Sequence, residues 1–308
     1  MKTLIDVLAP YDSIAIAGMA KNAGKTTTLN YMIHGFAGLG ETLGLTSIGL
    51  DGEETDQVTV TPKPRIHVPA GTIIATAEHL LMRRERGLND IGREILAVTD
   101  ISTPLGRIVV ARALSAGNVM LAGPSMVSQI APLMKIFQDF SVSKIIIDGA
   151  VGRKSLAAPE IVQAVVLATG ASLSKDIKAV IAETRHIAEI FNLPTVSDCP
   201  PNAGHIHIPG AITDSKLDGL YDKHIIAENP TKILISPKAL AKLHLGGGTL
   251  SIKTPINLAA ITINPISPYG TNFDAAHFLD KMQQAINIPI FNIAGESCAR
   301  PHIEEELC

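Results

Sequence analysis

The residues with the clearest chemical meaning lie near the amino terminus, in a glycine-rich segment that ends in a lysine and three threonines. We predict a phosphate-binding loop of the type G-x-x-x-x-G-K-[ST] over residues 18–26. Glycines let the backbone curl so that successive N–H groups face phosphate oxygens. Lys25 would supply a positive charge for the outer phosphates, and the Thr26 hydroxyl would bind Mg²⁺. The predicted phosphate-binding residues are Gly18, Lys21, Asn22, Ala23, Gly24, Lys25, Thr26 and Thr27.

The segments on either side of the loop have the patterns of a strand and a helix. Residues 14–17 are apolar and, with Ser13 before them, predict a buried strand over residues 13–17. Apolar residues then recur at helical spacing, at Leu29, Met32, Ile33 and Phe36. A helix N-terminus attracts anions, so this context favours a nucleoside triphosphate site over a glycine-rich turn between two core elements. We expect Lys25 to lie on a solvent-facing loop with no part in the core.

A carboxylate at the end of a later strand is the first candidate for holding the metal. Residues 145–147 are three isoleucines followed by Asp148 and Gly149, which is the form of a Walker B strand. Mg²⁺ needs an acid opposite the Thr26 hydroxyl, so we predict metal binding by Thr26 and Asp148. The alternative is an aspartate that only ends a strand at a turn.

A second acidic group follows the second predicted strand. In doubly wound folds the carboxyl ends of adjacent strands share one crevice, so Asp51 is predicted to hold a water or the metal beside the γ-phosphate. A solvated loop is the alternative for its acidic neighbours Glu53, Glu54 and Asp56. The loops 51–56 and 149–155 are predicted to respond to the nucleotide. The predicted catalytic residues are Lys25, Asp51 and Asp148.

Several other polar residues carry weaker signals. Ser125 follows a strand and is predicted to cap a helix, with contact to a substrate as the alternative. His205 and His207 would share one face of a strand, but no nearby third ligand completes a zinc site. Asn264, at the end of a strand, would approach an adenine or turn the chain. The guanine signature N-K-x-D does not occur, which favours ATP over GTP.

The composition excludes some classes of partner. The net charge of −3 argues against nucleic acid held by a basic surface. No apolar run is long enough for a membrane span, and the first residues do not resemble a signal peptide. The cysteines at 199, 298 and 308 lack metal-ligand spacing and predict free thiols in a reducing compartment. We therefore expect a cytoplasmic protein without membrane or nucleic-acid partners.

Alternating strands and helices predict an α/β fold, P-loop NTPase-like, with a mostly parallel sheet and helices on both faces. The short turn at residues 115–117 predicts a hairpin between 107–113 and 118–122. Prolines at 194, 200 and 201 mark a boundary. We predict a nucleotide-binding domain over residues 1–195 and a C-terminal α/β extension or second lobe over residues 196–308.

The loop also supports a resemblance to a known class. With Lys21 and Asn22 inside it, it resembles the loop of the SIMIBI division of P-loop NTPases, which includes dethiobiotin synthetase and the molybdopterin-guanine dinucleotide biosynthesis B proteins. A closer resemblance covers roughly the first 175 residues. It is to the reactivase subunits that accompany B12-dependent lysine 5,6-aminomutase, and it rests on residues 18–30, 43–54, 121–125 and 147–150.

The resemblance implies an ATPase that acts as a reactivating chaperone for an adenosylcobalamin-dependent aminomutase, opening it so that damaged cobalamin leaves. ATP and Mg²⁺ are the implied cofactors, and a second reactivase subunit and the aminomutase are the implied partners. Lys25 would hold the outer phosphates, Thr26 and Asp148 the Mg²⁺, and Asp51 a water or the metal. Lys21 is one position away from the lysine that acts across a homodimer in related loops, so that role does not transfer cleanly to Lys21, and a homodimer stays an open alternative.

Two alternatives from other classes remain. One is an ATP-dependent biosynthetic ligase or kinase of the dethiobiotin synthetase type, for which Thr103, Arg107 and Ser125 are the candidate substrate-binding residues. The other is a nucleotide-binding scaffold with negligible turnover, whose partner completes the site.

Overall fold

A computed structural model describes residues 2–48, 65–82, 91–151, 162–198 and 205–293 of the chain. The strands are β1 (Ser13–Gly18), β2 (Leu43–Ser47), β3 (Ile66–Val68), β4 (Ile73–Ala77), β5 (Arg93–Thr103), β6 (Gly106–Ala113), β7 (Gly117–Val119), β8 (Lys144–Val151), β9 (Ala164–Gly170), β10 (His205–His207), β11 (Ile212–Thr213), β12 (His224–Ala227), β13 (Ile233–Leu234), β14 (Thr249–Ile252), β15 (Leu258–Asn264) and β16 (Ile290–Asn292). The α-helices are α1 (Leu4–Leu8), α2 (Lys25–Gly38), α3 (Glu78–Met82), α4 (Ile130–Asp139), α5 (Ile177–Phe191), α6 (Pro237–Leu245) and α7 (Ala275–Ala285). Within these ranges no helix has the length and apolar character needed to cross a membrane.

Nine strands form one sheet in the order β16-β15-β9-β1-β8-β2-β4-β6-β5. The strands from β16 to β4 pair in parallel, and β6 pairs antiparallel with both β4 and β5. Parallel strands are covered on both faces, which is why β8 and β9 read as continuous apolar runs. The predicted α/β fold with a mostly parallel sheet is confirmed.

Two hydrophobic cores lie on opposite faces of this sheet, because side chains alternate along each strand. Ile145 and Ile147 enter one core, which α4, α5 and α7 cover. Ile146 enters the other core, which α1 and α2 cover with Leu8 and Phe36 among other side chains. The helices therefore form a layer on each face, and β1 lies near the middle of the sheet with β8 and β9 beside it.

The hairpin predicted at residues 115–117 is wrong. β6 pairs with β5, through a turn at residues 104–105, and β7 pairs antiparallel with β3. The β3–β7 pairing buries Val68 and Val119 in the core beside α2. A local hairpin would compete with that burial, so the long-range pairing wins over the turn signal.

Residues 205–252 build two small sheets, and the chain then returns to the main sheet. β10, β12 and β14 form a parallel sheet, and β11 pairs with β13. Their core includes Ile225, Leu240 and Leu250, and Ile190 of α5 joins it. β15 then pairs with β9 in the nine-stranded sheet. The part after the predicted boundary at residue 196 thus contains both an extension of the main sheet and a smaller lobe.

α1 packs closely against α2 at a glycine. A Cβ built on Gly35 would lie 2.5 Å from both Cδ1 and Cγ1 of Ile5. Gly38, one turn further along α2, has no neighbouring atom within 4 Å of such a Cβ. Comparing an alanine substitution at Gly35 with one at Gly38 therefore separates the effect of close packing from that of helix propensity.

We expect Gly35→Ala to destabilise the fold by about 1–3 kcal/mol, because overpacking against Ile5 outweighs the gain of about 1 kcal/mol in helix propensity. Gly38→Ala is the matched control and should leave stability unchanged or raise it. Urea unfolding followed by circular dichroism measures both. Adding Ile5→Val to Gly35→Ala should restore part of the loss, and equal stability of the two single variants would contradict the prediction.

Candidate functional site

The predicted loop lies at the carboxyl edge of the sheet, where β1 ends between β8 and β9. Residues 19–24 leave β1 and enter α2. The Met19 N–H donates to the Ala168 carbonyl at the end of β9, at 2.9 Å. On the other side, the Ile48 N–H donates to the Asp148 carbonyl at 2.9 Å. In open parallel sheets this edge is the usual place for a ligand.

The first glycine of the loop departs from the predicted spacing. Five residues (19–23), not four, separate Gly18 from Gly24, so Met19 stands where the pattern has its first glycine. Gly18 is the last residue of β1, and a Cβ built on it would lie 2.9 Å from Lys25 Cγ. Gly18 therefore leaves room for the lysine side chain, and the motif here is G-x-x-x-x-x-G-K-T.

The loop ends at a helix N-terminus that no side chain caps. Gly24 is the N-cap residue, with a φ of 95° that favours glycine, and α2 has no side-chain cap hydrogen bond. The Thr28 N–H donates to the Gly24 carbonyl at 2.9 Å, so the N–H groups of Thr26 and Thr27, which precede it, have no carbonyl partner within the helix. These groups and the helix dipole favour an anion at this position.

Lys25 and Asp148 form a buried ion pair beside this helix N-terminus. Lys25 Nζ lies 3.3 Å from Asp148 Oδ1 and also donates to the Gly149 carbonyl. Lys25 is 8% exposed and Asp148 3%. The expectation of a solvent-facing Lys25 is wrong, because its side chain folds back over Gly18 toward β8. Asp148 faces Ile16 of β1 and Ser47 of β2 in the strand register, which places its carboxylate beside the loop.

The remaining predicted loop residues differ in exposure. Ala23 is buried, Thr26 and Thr27 are half-buried in the first turn of α2, and Lys21 is exposed. Asn22 has a φ of 60°, and its Nδ2 is buried without a hydrogen-bond partner in the described part of the chain. The loop therefore holds one buried polar donor that a ligand oxygen would satisfy.

Some predicted residues lie outside the described residues. These are Asp51 with its acidic neighbours Glu53, Glu54 and Asp56, and the part of the second predicted loop that follows residue 151. Their predicted roles stay predictions.

Two contacts from β15 to the loop region are not apparent from the sequence pattern. The Asn264 Nδ2 donates to the Asn22 carbonyl at 3.3 Å, so this carboxamide contacts the loop backbone. The hydroxyls of Thr262 and Thr28 are buried and lie 2.8 Å apart. A sequence signal existed for one of them, because Asn264 is a polar residue before a proline at the end of a strand.

The segment 121–124 packs across the ends of β2 and β4. The Gly123 N–H donates to Ser47 Oγ at 2.8 Å, and the Ala122 N–H donates to Thr76 Oγ1 at 2.9 Å. Ser125 is exposed and does not cap a helix, because Met126 is the N-cap of the following turn and Gln129 that of α4. The predicted capping role of Ser125 is wrong.

The other substrate-binding candidates lie at the far side of the sheet. Thr103 Oγ1 donates to the Gly106 carbonyl at 2.8 Å and accepts from the Leu105 N–H at 3.1 Å, within the β5–β6 turn. Arg107 follows that turn in β6 and is exposed. β6 is four strands from β1, which is about 19 Å at the usual strand spacing.

The two histidines of β10 lie on one face of the small sheet with His224. The rings of His205 and His224 are 4.5 Å apart, and burial followed by the charge of His205 lowers the pKa of His224. His207 Nε2 lies 2.6 Å from Glu228 Oε1. No group of three or more potential metal ligands occurs among the residues that the structure describes.

Two clefts lie at opposite edges of the sheet. One, of about 370 Å³, lies between the segments that follow β9 and β15. Its acids Asp176 and Asp274 cap α5 and α7 by accepting from the N–H groups of Lys178 and His277. The other, of about 960 Å³, lies at the amino edge near Asp12, Gln163 and Asn257.

Comparison of the chain with protein-family models, with curated proteins and with solved structures finds no match.

Proposed function

We propose that the chain binds a nucleoside triphosphate with Mg²⁺ at the carboxyl edge of the sheet and hydrolyses it. One observation carries this proposal. The Lys25 ammonium and the Asp148 carboxylate are buried 3.3 Å apart beside the uncapped N-terminus of α2. A cation, an acid and a set of helical N–H groups are the groups needed to hold phosphates and a hard metal ion.

The groups present fit such a ligand. The N–H groups of Thr26 and Thr27 and the buried Nδ2 of Asn22 are donors suited to phosphate oxygens. Thr26 and Asp148 supply the oxygen atoms that Mg²⁺ prefers, and would hold it. When bound, Mg²⁺ supplies positive charge against the phosphate oxygens.

The ion pair gives the site two functional groups that a ligand would separate. A triphosphate offers Lys25 stronger and more numerous acceptors than one carboxylate. When Lys25 turns to the phosphates, Asp148 loses its counter-ion, and a metal ion replaces that charge. In this proposal the same two side chains therefore couple nucleotide binding to metal binding.

The finer proposal is a reactivating ATPase for an adenosylcobalamin-dependent aminomutase. Its support is the sequence resemblance over residues 18–30, 43–54, 121–125 and 147–150. The biosynthetic ligase has less support, because Arg107 in β6 and Thr103 in β5 are four and five strands from β1, which is about 19 and 24 Å at the usual strand spacing. The scaffold with negligible turnover is separated from an ATPase by measuring hydrolysis.

The first prediction about the proposed site concerns Lys25. Lys25→Met should abolish ATP binding and also lower the free energy of unfolding by about 3 kcal/mol, because Asp148 is left as an uncompensated buried charge. The double variant Lys25→Met, Asp148→Asn should regain most of that stability without regaining binding. Calorimetry with Mg²⁺-ATP and urea unfolding measure the two effects separately.

Lys144 provides the matched control, since it is also a buried lysine but lies at the amino edge. Its Nζ donates to the carbonyls of Ala9 and Tyr11 at 2.6 and 3.0 Å. Lys144→Met should therefore destabilise the fold and leave ATP affinity unchanged. Undiminished ATP affinity in folded Lys25→Met would contradict the proposed site.

The second prediction concerns the metal. Asp148→Asn keeps the shape of the side chain but removes the charge that would hold Mg²⁺, so turnover should fall on the order of a hundredfold. Affinity for ATP measured without metal should not fall, because Lys25 loses a competing acceptor. Asp12→Asn, at the exposed partner of Lys144, is the control. Wild-type hydrolysis by Asp148→Asn would make Asp148 a turn residue only.

The third prediction tests the reactivase. An inactivated adenosylcobalamin aminomutase, incubated with fresh cofactor, Mg²⁺-ATP and this protein, should recover activity, with a second reactivase subunit present or absent. The stable double variant of Lys25 and Asp148 should give no recovery. If recovery with the wild-type protein equals the ATP-free control in every combination, the reactivase role fails and the nucleotide site stands by itself.

A further inference from the structure

Strand β15 contacts the loop and the first turn of α2 through two side chains on one face. Thr262 and Asn264 are two residues apart in β15 and therefore point to the same side of the sheet. The Thr262 hydroxyl lies 2.8 Å from that of Thr28, in the first turn of α2. The Asn264 Nδ2 lies 3.3 Å from the Asn22 carbonyl, in the loop itself.

The Asn264 carboxamide is held in one orientation. Its Oδ1 accepts from the Ile266 N–H at 3.1 Å, so its Nδ2 is left to donate toward the loop. The Asn264 main-chain carbonyl accepts from the Ala171 N–H at 2.9 Å, which fixes the residue against the end of β9. This side chain therefore meets the loop from a rigid part of the sheet.

Asn264 contacts the loop at residues whose backbone conformation is uncommon. The acceptor residue, Asn22, has a left-handed φ of 60°. A Cβ built on Gly24 would lie 3.1 Å from Asn264 Cβ. Asn264 thus contacts both left-handed residues of the loop, the ones whose conformations set the direction of the neighbouring N–H groups.

We propose that Asn264 is a positioning residue, which holds the phosphate loop in its ligand-binding conformation through the Asn22 carbonyl. The inference rests on the proposed function, since it concerns the affinity of the same site for phosphates. It makes the C-terminal part of the main sheet a component of the nucleotide site. A residue that acts only through the loop affects every ligand that the loop holds by its phosphates, with or without a base.

The test compares two ligands, Mg²⁺-ATP and inorganic tripolyphosphate with Mg²⁺, by calorimetry. Asn264→Ala keeps the Cβ contact with Gly24 and removes the donor. Its Kd should rise about three- to tenfold for both ligands, the effect of one lost hydrogen bond. Asn264→Asp places an acceptor against the Asn22 carbonyl and should weaken both ligands at least as much.

Asn257, which directly precedes β15 at the amino edge of the sheet, is the matched control. Its Nδ2 donates to the Gln163 carbonyl at 3.2 Å, so Asn257→Ala removes a similar bond far from the loop. This variant should bind both ligands as the wild type does. Thermal unfolding should show similar midpoints for Asn264→Ala and Asn257→Ala.

The outcomes separate the inference from the proposed function. A rise in Kd for ATP alone would mean that Asn264 contacts the nucleoside, and unchanged Kd values for both ligands would mean that it has no role. Either result overturns the inference while the site stands, as does loss of the folded state in both Asn264 variants. If the wild-type protein binds neither ligand, the proposed function fails and the inference with it.

Discussion

The arrangement at the carboxyl edge depends on a charge pair that must be buried as a pair. At an effective dielectric constant of about 20, two unit charges at this distance attract by about 5 kcal/mol, and much of that is offset by desolvation. Lys25 and Asp148 can therefore be buried only if the end of β8 lies against the start of α2. The parallel pairing of β1 with β8 provides that contact, and Gly18 leaves the space for the lysine side chain.

If the site binds phosphates and a metal ion as proposed, the same ion pair would respond to both ligands. In the proposed function, phosphate oxygens, which are better acceptors, would replace the Asp148 carboxylate and the Gly149 carbonyl as partners of Lys25. Once the lysine leaves, the carboxylate requires another cation. A phosphate and a divalent metal ion together restore the charge balance that either one alone would disturb. In the proposed function, the ion pair would therefore couple phosphate binding to metal binding.

The fold brings two segments that are distant in the sequence to the same edge of the main sheet. β1 and α2 supply the loop from the first forty residues, and β15 contacts it from beyond residue 257. Between them, residues 205–252 form a lobe with its own core, joined to the main body by Ile190 and by the His186 Nε2 contact with the Ile235 carbonyl at 2.9 Å. In chain order, the lobe therefore lies between the two parts of the main body that contact the loop.

The sequence by itself determined the local elements near the loop. Apolar spacing predicted β1 and α2, and three isoleucines before an aspartate predicted β8, because burial on both faces needs continuous apolar residues. What depends on distant partners was not predictable. The turn at residues 115–117 gave way to the β3–β7 pairing, which buries Val68 and Val119. The burial of Lys25 and the contact of Asn264 with the loop were decided only by tertiary structure, because both depend on which strands lie beside β1. Neighbours in a sheet are set by packing across the whole chain, and no local pattern records them.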